Sequence, residues 1–202
     1  MVKAFGSFSR QGIHILRNSA YLQWGKSTQT IGACLMLNPG AATLKSRQES
    51  LCNGDSVDGE LELDETMKQL VKLVEELYSN NHNLSGRLHI YNLFTLRLSN
   101  SKEAIAAFGK QECGDYTFSI PEQELRKQLA QSPWILMGCG CKLNKKLKIA
   151  IKAWNELISE LRIPILGKQG AQVGTYHHPL PKLQANRAPY RLHIVNQYAA
   201  LK

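Results

Sequence analysis

The chain has 202 residues, of which 43% are hydrophobic, and carries a formal net charge of +9 at pH 7. This length favours one well-buried domain over two. No run approaches the roughly 18 apolar residues that cross a bilayer, and no signal-like apolar core precedes a small-residue cleavage site. We therefore expect a cytoplasmic protein that has no membrane partner.

The predicted elements alternate between strands and helices. Apolar, partly β-branched runs predict strands over 31–37, 87–96, 134–137 and 163–166. Apolar residues at helical spacing predict a helix that Asp64 caps and that runs from Met67 to Leu77, followed by helices over 101–108, opened by a Ser101 cap, 121–130 and 142–161. The polar segment 43–62 predicts a long loop.

This alternation predicts the fold class. We expect a single α/β domain over residues 1–202, built as a three-layer α/β/α sandwich around a four-stranded, mainly parallel sheet. The five cysteines are odd in number and lack paired C-x-x-C spacing. They therefore argue against a disulfide framework and a zinc ribbon, and we predict no metal site.

Polar residues, glycine and proline follow the predicted strands, where open α/β sheets build their sites. The segments in question are Leu35-Met36-Leu37-Asn38-Pro39-Gly40, Tyr91-Asn92-Leu93-Phe94, Met137-Gly138 and Tyr176-His177-His178-Pro179-Leu180-Pro181. Taken singly, an Asn-Pro-Gly is most often a turn and a His-Pro most often a loop. Their joint order, spread over about three quarters of the chain, carries the information.

This order of motifs resembles the uracil-DNA glycosylase superfamily. The Met-Leu-Asn-Pro, Asn-Leu-Phe and His-Pro-Leu segments are similar, and more closely so, to an uncharacterised bacterial domain family with these motifs. The glycosylase resemblance implies a uracil-DNA glycosylase-like fold and hydrolysis of the N-glycosidic bond of a flipped-out base. It implies an abasic site as product and, in this chain, no cofactor.

The resemblance also assigns roles to individual residues. Asn38 matches the position that holds the hydrolytic water, and Pro39 fixes the backbone beyond it. His178, in preference to the adjacent His177, matches the histidine that donates a hydrogen bond to the departing base. The alternative for Asn38 is that it simply opens a Pro-Gly turn.

Base recognition is assigned to a second set of residues. Asn92 matches an amide that reads a pyrimidine edge, although a buried amide that pins a neighbouring loop explains the same residue. Tyr91, Phe94 or Tyr176 would have to supply base stacking, because no aromatic residue lies between Trp24 and Tyr78. The expected base-binding set is Asn92, Gly40, Pro39, Phe94, Tyr176 and His177.

Two departures from the superfamily pattern bear on the substrate and on base flipping. Gly40 stands where uracil-specific members place a tyrosine against C5 of the base. We therefore expect a pyrimidine with a C5 substituent, such as glucosylated hydroxymethylcytosine of phage DNA, in preference to plain uracil, in anti-phage defence or repair. Lys182 stands where the wedge leucine is expected, so Leu183 or Leu180 would supply the wedge.

The basic residues are concentrated in the second half of the chain. Residues 126–202 contain thirteen Lys and Arg against two acidic residues. Such clustering favours DNA as partner, whereas a solvated helix face and a basic tail are the simpler explanation. We expect phosphate contacts from Lys142, Lys145, Lys146, Lys182, Arg187 and Arg191, and no obligate protein partner.

Two alternative functions fit the same sequence. One is a nucleic-acid-binding module that keeps the fold without the chemistry. The other is a hydrolase of free nucleosides or nucleotides, which would not need the basic half.

Overall fold

A computed structural model describes residues 1–45, 55–81, 83–109, 120–141 and 144–201. Its strands are β1 Lys3–Gln11, β2 His14–Trp24, β3 Thr30–Met36, β4 Ser56–Leu61, β5 Gly86–Asn92, β6 Ile135–Gly138 and β7 Ile165–Leu166. Its helices are α1 Glu65–Leu77, α2 Ser101–Gly109, α3 Glu122–Leu129, α4 Lys145–Glu160 and α5 Arg187–Ala199, and a 3-10 turn at Gln184–Asn186 precedes α5.

The described strands form one mixed sheet of seven strands in the order β4-β1-β2-β5-β3-β6-β7. The expected four-stranded, mainly parallel sheet is therefore wrong. The strands expected from the sequence are all present, and β5, β3, β6 and β7 pair parallel. The remaining strands β4, β1 and β2 pair antiparallel, and β2 joins β5 in the antiparallel sense.

The antiparallel strands escaped sequence reasoning because their alternation is carried by small or polar residues. In β1 the buried positions are Ala4, Gly6 and Phe8. A two-residue turn joins β1 to β2, with Gly12 at a φ of 58° that glycine adopts without steric cost. The expected loop over 43–62 is also wrong where β4 lies, and its residues 46–54 lie outside the described residues.

Helices cover both faces of the sheet. On one face α1 and α5 bury residues such as Leu70 and Ile194, and on the other α2, α3 and α4 bury residues such as Trp154. All of β3 is buried, with Cys34 facing the first cluster and Leu35 the second. The continuous apolar run of β3 is thus explained by burial on both faces.

The helix starts follow their capping residues. Asp64 Oδ1 accepts a hydrogen bond from Met67 N at 2.8 Å, which confirms the expected cap of α1. Asn144 caps α4 in the same way, so this helix begins at Lys145 rather than at 142. The α2 helix starts behind Asn100, whose Oδ1 accepts from Lys102 N at 3.0 Å, rather than behind a Ser101 cap. Over the described ranges, no helix has the length and apolar character needed to cross a membrane.

Candidate functional site

The Asn38 loop leaves the sheet at the carboxyl end of β3. The Asn38 side chain donates from Nδ2 to the carbonyl oxygen of Leu98 at 2.7 Å. This bond fixes the orientation of the amide, because only the nitrogen can donate. Its Oδ1 has no hydrogen-bond partner in the described part of the chain, so it is placed to accept a hydrogen bond from a ligand or a water.

Two further contacts hold the same loop in place. Pro39 is buried, and Gly40 has a φ of 70° in the left-handed region. Arg97 donates to the carbonyl oxygens of Ala42 at 3.0 Å and Ala41 at 3.3 Å. The loop is therefore held from both ends.

Asn92, at the end of β5, is committed to the protein. In the amide orientation that satisfies both neighbours, Nδ2 donates to the Asn38 carbonyl oxygen at 2.9 Å and Oδ1 accepts from Arg17 Nη2 at 3.1 Å. The residue is only 8% exposed. Both polar atoms of the amide are thus used to pin the neighbouring loop, which is the alternative that the sequence left open, and Asn92 does not face a base.

Arg17, a residue that sequence reasoning missed, lies beneath this loop. It belongs to β2 and is 4% exposed. Burial lowers the pKa of Arg17 to about 10, and the charge of Asp64 opposes that shift. The guanidinium is therefore still protonated at neutral pH. An arginine in a strand of unrecognised pattern gave no signal in the sequence.

His178 reaches the same edge of the sheet from the other side. A Cβ added to Gly138, at the end of β6, would lie 2.7 Å from Pro179 Cδ and 2.8 Å from Met36 Sδ, so Pro179 packs directly on the ends of β6 and β3. Asn38 follows Met36 by two residues. The structure thus brings the Asn38 and His178 segments to one edge of the sheet.

The protonation of His178 follows from its surroundings. Leu180 N donates to Nδ1 at 3.1 Å, so the neutral ring carries its proton on Nε2. Burial lowers the pKa of His178 below its usual value, although the charge of Asp64 partly opposes this. At neutral pH the ring is an uncharged donor through Nε2.

Asp64 connects these groups. Its Oδ1 caps α1, whereas its Oδ2 lies 3.7 Å from the position that a Cβ at Gly40 would take. Its negative charge acts on both Arg17 and His178. The sequence indicated only the cap, since nothing in a helix-start pattern shows where the second carboxylate oxygen points.

Of the three residues expected to stack on a base, two are buried and one is half-buried. Phe94 is 1% exposed and stacks on Phe108 with ring centroids 4.8 Å apart, so the structure places it in the core and not beside a base. Tyr91 is also buried and packs on Trp154. The half-buried Tyr176 packs its ring against Gly167. His177 is exposed and donates from its backbone N to Lys168 O at 2.8 Å.

The expected phosphate contacts divide into two groups. Lys145 and Lys146 occupy the first turn of α4, and Lys182 is exposed before α5. Lys142 lies outside the described residues. Arg191 instead donates to Glu76 at 2.7 Å and to Gln69 at 3.1 Å, with only 15% of its side chain exposed. Its assignment to DNA is therefore corrected to a contact between α5 and α1.

Arg187 is also turned toward α1. Its Nη1 lies 3.8 Å from Glu65 Oε2 and its Nε donates to Pro181 O at 3.4 Å. It lines an open groove of about 310 Å³ along α1, and a second groove of about 1000 Å³ runs along the outer side of α4. Neither groove is lined by Asn38, Asp64 or His178, although Leu63 and Glu65, the chain neighbours of Asp64, line the first one.

The cysteines do not form a metal centre in the described residues, where no three His, Cys, Asp or Glu side chains are grouped to hold an ion. Cys34 and Cys139 are buried, and burial raises the pKa of Cys139 to about 12. These thiols therefore stay protonated at neutral pH.

Comparison with protein-family models, with curated proteins and with solved structures finds no match for this chain.

Replacing Asn92 with alanine tests its structural role. Asn92→Ala leaves the buried Arg17 guanidinium without its amide partner and frees the Asn38 carbonyl oxygen, so we expect the free energy of unfolding to fall by about 2 kcal/mol. Urea unfolding measures this change. Asn196→Ala, at an exposed position of α5, is the matched control and should be nearly neutral. Unchanged stability in Asn92→Ala would show that the amide does not hold the loop.

The lowered pKa of His178 predicts a pH-dependent stability. The unfolded state takes up the proton first as the pH falls below about 6.5, so the wild type loses up to about 1.4 kcal/mol per pH unit until the folded ring titrates. His178→Asn should lose less stability between pH 7.5 and 5.5, as measured by urea unfolding at both values. His193→Asn, at an exposed site, should retain the full wild-type loss. Equal losses in all three proteins would contradict a depressed pKa.

Proposed function

We propose that this chain is a monofunctional DNA glycosylase that hydrolyses the N-glycosidic bond of a flipped-out, modified pyrimidine and leaves an abasic site. One observation carries the proposal. A neutral imidazole with its proton on Nε2 lies at the same sheet edge as an amide whose oxygen has no hydrogen-bond partner in the described residues. We infer that the parallel half of the sheet corresponds to a uracil-DNA glycosylase-like core, because the four motifs follow its strands in the order of that superfamily.

The two groups suit the two charges of the transition state. As the bond breaks, positive charge develops on the sugar and negative charge on the base. His178 Nε2 donates to the base carbonyl oxygen, and a neutral donor does so without a charge to remove first. Asn38 Oδ1 accepts a hydrogen bond from the attacking water and orients it toward C1′.

The substrate preference follows from the space beside Gly40. Apart from its neighbours in the chain, Asp64 Oδ2 is the only described heavy atom within 4 Å of a Cβ built at this position. A C5 substituent as large as a sugar could extend past such a position. The left-handed φ of Gly40 gives glycine a second, purely conformational reason to be here. Replacement by tyrosine would therefore strain the backbone, and a series of DNA substrates is the cleaner test.

Three lysines at or near the strand-end side of the sheet are candidates for DNA contacts, two of them exposed and Lys146 half-buried. Lys145 and Lys146 begin α4, where the helix dipole also favours a phosphate. Lys182 is exposed, and Leu183 beside it is 69% exposed. An exposed leucine flanked by a cation suits a wedge that fills the space of an extruded base.

A second candidate function is hydrolysis of free nucleosides or nucleotides. It is favoured by the ion pairs that tie Arg187 and Arg191 to α1, because they remove two of the six cations assigned to DNA. A nucleic-acid-binding module without chemistry is the third possibility. The same assays separate all three.

Base release decides between these functions. Duplexes containing uracil, hydroxymethylcytosine or glucosylated hydroxymethylcytosine are incubated with the protein under single-turnover conditions, and abasic sites are cleaved with alkali. We expect release of a C5-modified pyrimidine, with losses of about 10²-fold in Asn38→Ala and His178→Ala, as is typical of a preorganised group. Binding of DNA should change little. His193→Ala is the matched control and should keep the wild-type rate.

Two outcomes of these assays would oppose the proposal. Release of base from free nucleosides alone would establish the second candidate function. Binding of DNA without release from any of the three duplexes would leave a binding module.

Salt dependence tests the assignment of the cations. Each phosphate that is neutralised contributes about −0.9 to the slope of log K against log salt on duplex DNA. We expect Lys145→Ala, Lys146→Ala and Lys182→Ala each to reduce the slope by about one such contribution, measured by fluorescence anisotropy. Lys26→Ala, an exposed lysine before β3 and so at the opposite edge of the sheet, should leave the slope unchanged. A slope near zero for the wild type would show that the basic second half of the chain, residues 126–202, is only a solvated surface.

A further inference from the structure

We propose that Asp64 is a catalytic carboxylate of this site, with its Oδ2 taking the proton of the attacking water and facing the positive charge that develops on the sugar. This inference rests on the proposed glycosylase function and deepens it. The motif comparison assigns the water to Asn38 alone, and an amide cannot accept a proton. The strand-end site contains a group that can accept a proton, the carboxylate of Asp64 at the start of α1.

The first support is that capping uses only one of the two carboxylate oxygens. Oδ1 accepts from Met67 N at 2.8 Å and so fixes the side chain. Oδ2 is then held in a single direction, toward Gly40. A carboxylate anchored through one oxygen has lost most of its rotational freedom, and this preorganisation is what a catalytic group requires.

The second support is the open position at Gly40. In the described residues, and apart from the chain neighbours of Gly40, the heavy atom within 4 Å of a Cβ at this position is Asp64 Oδ2, at 3.7 Å. Because glycine has no side chain, the position beside the carboxylate oxygen that a Cβ would fill is left free. Gly40 lies two residues from Asn38 in the chain. A water beside Gly40 is therefore within reach of the loop that carries the Asn38 amide.

The third support is electrostatic. Asp64 acts on His178 and on the buried Arg17, which come from different elements of the fold. A carboxylate within this group meets the charge requirement of the reaction: it is negative where the sugar becomes positive, while His178 donates where the base becomes negative. The same charge is felt by Lys68 on the outer side of α1.

The water oxygen forms a bond to C1′ while the C1′–N1 bond breaks. The electron pair of the C1′–N1 bond leaves with the base. The water proton passes to Asp64 Oδ2 and then to solvent. The base anion, stabilised by the hydrogen bond from His178 Nε2, takes a proton from solvent, so that one water has been divided between sugar and base.

Asp64→Asn separates catalysis from capping, because asparagine caps a helix as well as aspartate does but cannot accept the proton. We expect a loss of about 10²-fold in the single-turnover rate. The melting temperature should fall only slightly, because the cap is kept and only the counter-charge of the buried Arg17 is lost. Asp64→Ala should lose the rate to the same extent and melt at a lower temperature than Asp64→Asn, because it also loses the cap. Glu62→Gln, which removes the same charge from an exposed position two residues away, should keep the wild-type rate.

The results separate two kinds of failure. If the wild type releases a base and Asp64→Asn releases it at the same rate, Asp64 is only a cap and the inference is overturned. If the wild type releases no base from any duplex, the proposed function itself fails.

A titration by NMR adds a readout that does not depend on activity. The pKa of His178 should be lower in Asp64→Asn than in the wild type, because the carboxylate charge that favours the protonated ring is gone. The same titration in Glu62→Gln should match the wild type. An unchanged His178 pKa in Asp64→Asn would show that the carboxylate does not face the site, and the inference would fall.

Discussion

The arrangement of the strand ends depends on one buried contact, in which the Arg17 guanidinium donates to the Asn92 amide and that amide holds the Asn38 backbone. A buried cation is costly unless its hydrogen bonds and counter-charge are supplied, and here an amide and the nearby Asp64 supply them. This requirement fixes the spacing between β2, β5 and the loop after β3. The loop can then present the Asn38 amide in one orientation.

The site combines two strategies for placing polar groups. Asn38 and His178 are each oriented by one hydrogen bond to backbone, to Leu98 O and from Leu180 N respectively. In each case the bond uses one polar atom of the side chain and leaves the other, Asn38 Oδ1 or His178 Nε2, without a hydrogen-bond partner in the described residues. Local backbone contacts thus select which atom of each side chain stays free to bind.

Sequence reasoning recovered the part of the fold in which apolar runs are long. The run ending at Met36 predicted a strand buried on both faces, and the cap at Asp64 predicted the start of α1; both are confirmed. The β1–β2 hairpin was missed because its inward positions include Ala4 and Gly6, whose small side chains give a weak alternation. The α5 helix, which follows a proline-rich loop and begins with Arg187, was missed as well.

The site residues also differ in whether a pattern in the sequence can reveal them. Motif order led to Asn38 and His178, because a polar residue next to proline at a strand end is visible in one dimension. The structural use of Asn92 was one of two open alternatives, and only the contacts with Arg17 and Asn38 distinguish them. Phe94 was misassigned since an aromatic residue after a strand gives no indication of whether its ring turns inward. Asp64 and Arg17 act over distances that no local pattern encodes.

The origin of Arg17 in the first hairpin has a consequence for how the molecule assembles. Arg17 and Asn92 are 75 positions apart in the chain, and the pairing of β2 with β5 that brings them together is equally non-local. Such contacts raise the contact order and slow folding, because the entropy of closing a long loop must be overcome before they form. Until β2 pairs with β5, β5 is an open edge of the sheet. The same strand pairing therefore completes the strand ends and protects that edge.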